Sequence, residues 1–244
     1  MYTLLCKEVR GFFSSLTGYI VIIVFLLSTS LFMWIFPGEM NILDAGYANL
    51  DSLFYIAPWV FLFLVPAVTM RMFAEEKKSG TIELIFTKPL SDLQIVLAKY
   101  FAAVLLVLLS LLPSLIYFVS VYLLGNPVGN IDTGGTWGSF IGLFFLAAIY
   151  AAIGVFASSL TDNQIVAFIL AVLLCFLFYI GFDSLGSLGI FQNIQTFIAG
   201  LGINDHYKSM SRGVIDTRDV VYFLSVIALF VVFTKTRLQS RKWA

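Results

Sequence analysis

Charge is scarce in this sequence. Only 11% of its 244 residues are Asp, Glu, Lys or Arg, whereas 60% are hydrophobic. Soluble domains carry about 25% charged residues, so this composition excludes a soluble globular domain. Period-two alternation, which a membrane β-barrel requires, is also absent. Several apolar runs of about 18 residues or more instead predict an all-α protein that crosses a membrane repeatedly.

The side chains that most hydrolases and metalloenzymes need are nearly missing. The sole histidine, His206, has no Cys or carboxylate at metal-ligand spacing, and no apolar run contains a histidine. These absences exclude a zinc protease of the HExxH type and argue against an intramembrane Ser–His protease. Cys6 and Cys175 are expected to be free thiols. Since there is also no Gly-rich phosphate loop followed by Lys-Ser/Thr, we predict no enzymatic activity, no metal site and no cofactor in this chain.

The apolar runs predict six spans in a single domain, 1–244. The spans are 18–36, 53–70, 98–124, 138–158, 164–182 and 220–233. Pro58, Pro66 and Pro113 fall within them, so kinks are expected. The segment 183–219 is rich in glycine, and its apolar middle, 190–199, is too short to cross a membrane. We therefore predict an outer re-entrant or interfacial segment there.

Residues 1–17 precede the first span and are amphipathic. One stripe is apolar and the opposite one is polar: Leu5, Val9, Phe12, Phe13 and Leu16 against Lys7, Arg10, Ser14 and Thr17. This pattern predicts a helix that lies along the membrane surface with its cations toward the headgroups. A simple cytoplasmic extension of the first span is the alternative.

A charged island, residues 71–99, separates the second and third spans. It holds nine of the 28 charged residues. Within it, Gly80 and Pro89 bracket a predicted short helix, 81–86, with Thr81 as its N-cap and Glu83 in its first turn. Ser91 and Gln94 form a predicted capping box that begins the next helix. The region 71–97 is thus predicted to be folded rather than a slack connector.

The distribution of cations predicts the orientation. With both termini, the charged island and the turn at Thr161 on one side, that side holds 11 of the 14 Lys and Arg residues. Lys208, Arg212 and Arg218 remain on the other side. By the positive-inside rule, the N- and C-termini are cytoplasmic.

The predicted spans have no ionisable side chain well inside, since Asp162, Asp183 and Asp219 lie at their ends. Ion-coupled carriers usually need such groups within the bilayer, although discontinuous helices can coordinate an ion through backbone carbonyls. This pattern favours a membrane subunit that is energised by a partner acting on the charged island. An ion-coupled carrier and a non-transporting anchor or scaffold remain alternatives, as does an island that only enforces topology.

The island reads R-x-x-A-E-E-K-K-S-G-T-I-E-L-x-x-x-x-P-L-S, with Lys99 following. This pattern resembles the signature of type-2 ABC transporter permeases, and the wider resemblance covers the whole chain. The resemblance implies a coupling helix and an ATPase-coupling interface at Arg71, Glu75, Glu76, Gly80, Thr81, Glu83 and Pro89, beside the motif residues Ala74 and Lys99. It further implies a cytoplasmic ABC ATPase dimer that holds ATP and Mg, a second permease copy or related membrane subunit, and location in the bacterial cytoplasmic (inner) membrane. No nucleic acid is expected among the partners.

Two further segments, 206–223 and 7–20, resemble the gliding-motility-associated ABC permease subunit of Bacteroidetes, the F subunit. That resemblance implies a dedicated ATPase and an auxiliary membrane subunit with a large outer domain. It implies export or gliding motility but identifies no substrate. The predicted spans also lack aromatic-plus-charge features typical of a saccharide channel.

The charged residues and the glycine of the island each have an expected role. Glu75 and Glu76 are expected to face a basic partner surface or cap a helix end, with a solvated face as the alternative. Gly80 is interpreted as a close-approach or C-cap glycine. Glu83 can equally support only the start of the short helix. At the outer mouth, a local salt-bridge cluster is predicted for Arg212, Asp216, Arg218 and Asp219, with substrate gating as a further hypothesis.

Overall fold

The computed structural model describes residues 1–186 and 200–240, apart from the side chain of Thr17. Within those ranges the chain is helical and contains no strand. The helices are α1 Tyr2–Phe13, α2 Leu16–Ser30, α3 Ile42–Ala45, α4 Asp51–Thr69, α5 Arg71–Lys78, α6 Ile82–Phe86, α7 Asp92–Leu111, α8 Leu115–Leu124, α9 Thr133–Leu160, α10 Gln164–Phe176, α11 Phe182–Gly186, α12 Ile203–Met210 and α13 Thr217–Gln239. Short π-helical turns, Leu31–Ile35 and Leu177–Gly181, extend α2 and join α10 to α11.

Among the described residues, six helical stretches are long and apolar enough to cross a membrane, which confirms the six-span, all-α prediction. They are Gly18–Ile35, Asp51–Lys78, Asp92–Leu124, Thr133–Leu160, Gln164–Gly186 and Thr217–Gln239. The largest departure from the predicted bounds is at the second span, which continues eight residues beyond 70 through α5. Hydropathy locates only the apolar part of a helix, and charged side chains can continue the same helix into the interface.

Three prolines lie in the spans, and one of them coincides with a change of helix type. Pro58 and Pro66 lie inside α4, and Pro113 lies in the 3₁₀ turn Leu112–Ser114 that joins α7 to α8. Proline has no N–H to donate and clashes with the preceding turn, so a change of helix type at Pro113 is expected.

The fourth span, α9, is the centre of the bundle. Of its most apolar window, 78% is buried, against 28%, 22% and 28% for the first, fifth and sixth spans. It packs against α4, α5, α7, α10 and α13. Small residues permit this packing: a Cβ on Gly154 would lie 2.0 Å from Thr69 Oγ1, so the two helices touch at that glycine. Close approach at small residues is typical of helices in membranes.

The predicted outer segment 183–219 is described only at its two ends. α11 ends at Gly186, and α12 packs on α9 and α13. The Tyr207 hydroxyl, on α12, donates to the Phe54 carbonyl oxygen at 2.8 Å. Burial raises the pKa of Tyr207 well above its ordinary value. The predicted re-entrant piece, 190–199, lies outside the described residues.

Candidate functional site

Four charged side chains from three helices meet where the charged island joins the bundle. Lys7 and Glu8 lie on α1, Glu76 on α5 and Lys99 on α7. The Lys99 ammonium is completely buried, and its Nζ lies 2.8 Å from Glu76 Oε2 and 2.9 Å from Glu8 Oε1. Lys7 Nζ donates to Glu76 Oε1 at 3.0 Å. We call these four residues the buried ion cluster.

The buried ion cluster stabilises the Lys99 ammonium, which water cannot reach. Lys99 Nζ also donates to the Met72 carbonyl oxygen and lies 5.0 Å from the centre of the Phe73 ring. The contact to Glu76 Oε2 is an ion pair without hydrogen-bond geometry. Partial burial opposes the charge of Lys7, but the hydrogen bond and charge of Glu76 outweigh burial and raise the Lys7 pKa. Because a buried ammonium needs such partners, the cluster ties α1, α5 and α7 together.

This arrangement corrects the expected orientation of two predicted interface residues. Glu76 is only 8% exposed and faces Lys99, so it does not present its carboxylate to a partner. Arg71 is half-buried; its Nη2 donates to Ser15 Oγ at 3.3 Å, and its guanidinium lies 5.4 Å from the Phe12 ring centre. Both side chains therefore face α1. The other predicted interface residues are exposed: Glu75, Gly80, Thr81, Glu83 and Pro89.

The N-terminal helix, α1, is held against the bundle by one face. Its apolar side packs on the bundle, with Leu4 and Phe12 buried and Val9 partly buried against the core. Lys7, expected to face lipid headgroups, is paired with Glu76. Hydrophobic periodicity identifies the apolar face of a helix, but it does not tell whether that face contacts lipid or protein. The position of α1 depends on long-range ion pairs, which periodicity does not show.

A tight turn joins α5 to α6. Gly80 has φ +71° and an added Cβ would meet nothing within 4 Å, which identifies a C-cap glycine rather than a close-approach one. Thr81 precedes α6, yet its side chain makes no capping hydrogen bond and instead lies 2.8 Å from Ser79 Oγ. The predicted capping box is confirmed, since Ser91 Oγ accepts from the Gln94 N–H and Gln94 Oε1 accepts from the Ser91 N–H.

Short helix α6 rests on the bundle by one side only. Ile82, Ile85 and Phe86 are partly buried against the core, whereas Leu84 is 65% exposed. A groove separates α6 from the end of α13, near Arg237 and Leu238. An apolar side chain this exposed next to Glu83, outside the apolar part of any span, is available for protein contact.

Ser158 of α9 fills the break between α4 and α5. The N–H groups of Phe73 and Ala74 donate to Ser158 Oγ at 2.9 and 3.1 Å, and Ser158 Oγ donates to the Met70 carbonyl oxygen at 2.8 Å. One turn further on, Lys77 Nζ donates to the Ser159 carbonyl oxygen. The charged continuation of the second span is therefore fixed to the fourth span by backbone-directed hydrogen bonds.

Comparison with known proteins bears on this arrangement. The family model described as "ABC-2 family transporter protein" matches residues 44–202, more than half of the chain. The chain belongs to this family. No curated protein matches the chain. The matched range includes the second to fifth spans and the turn that carries α6, so this ABC-2 family chain is a multi-pass membrane protein of the permease type.

The prediction of a salt-bridge cluster at the other end of the permease is wrong. Asp216 Oδ1 accepts from the Arg218 N–H and caps α13, and the Arg212 and Arg218 side chains are exposed. Within residues 1–186 and 200–240, neither arginine has a carboxylate within 4.0 Å. The start of α13 at Thr217 turns Asp219 inward, away from the other three residues.

Asp219 instead pairs with the histidine. It is 5% exposed, and its Oδ1 lies 2.7 Å from His206 Nδ1. His206 Nε2 lies 3.0 Å from the Gly200 carbonyl oxygen, and the ring stacks on Tyr222 at 3.8 Å. Spacing along the chain did not reveal this pair because the two residues lie on different helices. Among the described residues, no three His, Cys, Asp or Glu side chains are placed to hold a metal ion.

A cavity of about 400 Å³ opens at the same end of the permease. Its lining includes Asp51, Trp59, Tyr179, Tyr207 and Lys208. The Trp59 and Tyr179 rings meet edge to face at 6.0 Å. Aromatic and charged side chains thus meet here, because α12, which is not one of the spans, brings Lys208 and Tyr207 to the second and fifth spans.

Proposed function

We propose that this chain is the transmembrane permease subunit of an ATP-driven ABC transporter, and that a separate ABC ATPase dimer docks on α6 and its flanking turns. Family membership supports the first part. One observation supports the second part, the docking of the ATPase: α6 is exposed on one side and held firmly on the other. It presents Leu84, 65% exposed, between two spans whose ends are fixed to each other by the buried ion cluster.

The contacts provide a route by which a push on α6 would reach the spans. α5 is the direct continuation of α4, and Ser158 binds their junction to α9. Lys99 joins α5 to α7 through Glu76 and joins α1 through Glu8. Displacement of α6 therefore moves the second, third and fourth spans together, as a coupling helix requires.

The proposed transporter contains other subunits and lies in a membrane. ATP and Mg belong to the partner ATPase, and this chain hydrolyses nothing. A second permease copy, or a related membrane subunit, completes the transporter in the lipid bilayer, and nucleic acid takes no part. The bias of cations toward the α6 side supports insertion in a bacterial inner membrane with both termini cytoplasmic.

We further propose that the transporter serves export or gliding motility. The two segments that support this are 7–20 and 206–223. The first contributes Lys7 and Glu8 to the buried ion cluster, and the second contributes His206 and Asp219 to the pair at the other end. Co-purification of an auxiliary membrane subunit with a large outer domain would support gliding motility over simple export.

Docking is tested by affinity purification of the tagged chain from its own membranes. We expect an ABC ATPase to co-purify, and Leu84→Arg to lower its recovery by roughly tenfold or more, as for a central interface residue. Leu43→Arg is the matched control, because Leu43 is 64% exposed but lies on α3, away from α6. Equal ATPase recovery with both variants would refute docking on α6.

A second measurement separates a working permease from a passive anchor. Gly80→Pro forces φ to about −65°, whereas this turn has φ +71°. Combined with Glu83→Lys, it should uncouple ATP turnover of the purified complex from this chain. Unchanged binding and unchanged turnover would favour the anchor. Ion-dependent uptake into liposomes by this chain alone would favour the carrier.

A further inference from the structure

We propose that the cavity between α1 and α5 binds the headgroup of a phosphoethanolamine-type phospholipid, with its phosphate on Arg71 and its ammonium on Glu75. The cavity has a volume of about 450 Å³ and lies beside the buried ion cluster. The inference goes beyond the proposed function, because lipid binding here requires neither an ATPase nor transport.

Two charged residues that line this cavity, Arg71 and Glu75, have no ion-pair partner among the described residues. Lys7 and Lys99 are paired with Glu8 and Glu76. The Arg71 guanidinium carries five N–H donors but, among the residues that the structure describes, makes one side-chain hydrogen bond, to Ser15 Oγ. In the described part of the chain, it has no carboxylate within 4.0 Å. A half-buried guanidinium that lines a cavity without an anion is a site for one, since Arg binds phosphate well.

Glu75 supplies the complementary charge one turn away. Residues at i and i+4 lie on the same helix face with about 5–6 Å between Cβ atoms. Glu75 is exposed and lines the same cavity. Within the described ranges its carboxylate has no cation within 4.0 Å, although its charge helps Glu76 and Glu8 to raise the pKa of nearby Lys7. A headgroup with a phosphate and an ammonium two carbons apart matches this pair in sign and spacing. A glycerol headgroup brings no cation to Glu75, and a choline headgroup has no N–H to donate.

The deep side of the cavity is apolar. Val68 lies one turn before Arg71 on the second span, and Phe12 and Leu106 join it in the lining. All three side chains are buried, at 2%, 4% and 1% exposure. The lining therefore changes from charged to apolar in the direction in which a phospholipid changes from headgroup to chain. A soluble phosphate compound would leave the apolar part unused.

The test measures lipids retained by the purified full chain. The chain is placed in nanodiscs of phosphatidylcholine with equal minor amounts of phosphatidylethanolamine and phosphatidylglycerol, then released for native mass spectrometry. We expect phosphatidylethanolamine to be retained in preference to both other lipids. Arg71→Gln should lower that retention by about tenfold, the loss of one charge-assisted hydrogen bond. Arg10→Gln, an exposed cation of α1 outside the cavity, should leave it unchanged.

Glu75→Gln is the decisive variant because it removes no ion pair or side-chain hydrogen bond among the described residues. It should retain phospholipid but lose the preference for phosphatidylethanolamine over phosphatidylglycerol. Equal retention of all three lipids by the unmodified chain, or a preference that survives Glu75→Gln, would overturn the proposal. Displacement of the retained lipid by inorganic phosphate would assign the site to free phosphate and overturn it as well.

Discussion

The ammonium of Lys99 lies 2.8 Å from Glu76 Oε2, at the level where the second and third spans leave the bundle. Lys99 is completely buried, and Glu76 is 8% exposed. Because neither charge can be exposed cheaply, α5 and α7 cannot separate at this level without a large loss of electrostatic stabilisation. The pair therefore fixes α5 to α7, the two helices that flank α6.

Lys99→Met should destabilise the protein by about 3–5 kcal/mol, the cost of removing one partner from a buried ion pair. The variant leaves the Glu8 and Glu76 carboxylates with Lys7 as their cation. The measurement is the free energy of unfolding in detergent. Lys88→Met is the matched control, because Lys88 is exposed and its replacement should change stability by about 0.5 kcal/mol or less. Similar losses for both variants would contradict a structural role for the buried ion cluster.

Ser158→Ala should cost about 1–3 kcal/mol, since it leaves the buried Phe73 and Ala74 N–H groups without an acceptor. The comparison variant is Ser120→Ala, whose exposed hydroxyl only donates to the Ile116 carbonyl oxygen of its own helix. Thermal unfolding of both variants measures the difference. Equal midpoints would show that the break at Met70 does not depend on α9.

Gly154→Ala should destabilise the bundle by about 1–3 kcal/mol through overpacking, because its Cβ would lie 2.0 Å from Thr69 Oγ1. Gly11→Ala is a matched control on α1, where an added Cβ meets nothing within 4 Å. There the substitution should stabilise the helix by about 0.5–1 kcal/mol. Denaturant unfolding tests both signs. A neutral Gly154→Ala would mean that α4 and α9 separate easily at this point.

Local signals in the sequence predicted local structure well. The apolar runs predicted six spans, and the Ser91–Gln94 capping box formed as expected. These features depend on residues within a few positions of each other, so the sequence contains their physical cause.

Ion pairs between residues far apart in the sequence could not be predicted in this way. Glu76 was expected to face a partner, but Lys99 and Lys7 hold it inside. Likewise, four charged residues after α12 suggested a salt-bridge cluster, yet Asp219 pairs with His206 and the arginines face outward. Charge spacing along a chain does not tell which helix lies opposite, and burial then decides which partner is used.

His206→Ala should destabilise the end that carries α12 by about 1–3 kcal/mol, because Asp219 is buried and would lose the His206 contact to its Oδ1, while its Oδ2 already has no hydrogen-bond partner among the described residues. The double variant with Asp219→Ala should cost less than the sum of the two single changes, since both remove the same contact. A double-mutant cycle of unfolding free energies measures this coupling. Strict additivity would contradict a direct pair.

Thiol labelling tests the proposed orientation of the spans. Leu84 and Val128 are 65% and 64% exposed but lie at opposite ends of the bundle, on α6 and in the loop between α8 and α9. Cys6 and Cys175 are first replaced by Ser and Ala, so that each single cysteine reports alone. In intact cells whose outer membrane has been permeabilised, an impermeant maleimide should label Val128→Cys, and Leu84→Cys only after the inner membrane is opened. The cation bias predicts that α6 is cytoplasmic. The reverse pattern would therefore refute the proposed orientation and remove α6 from the reach of a cytoplasmic ATPase.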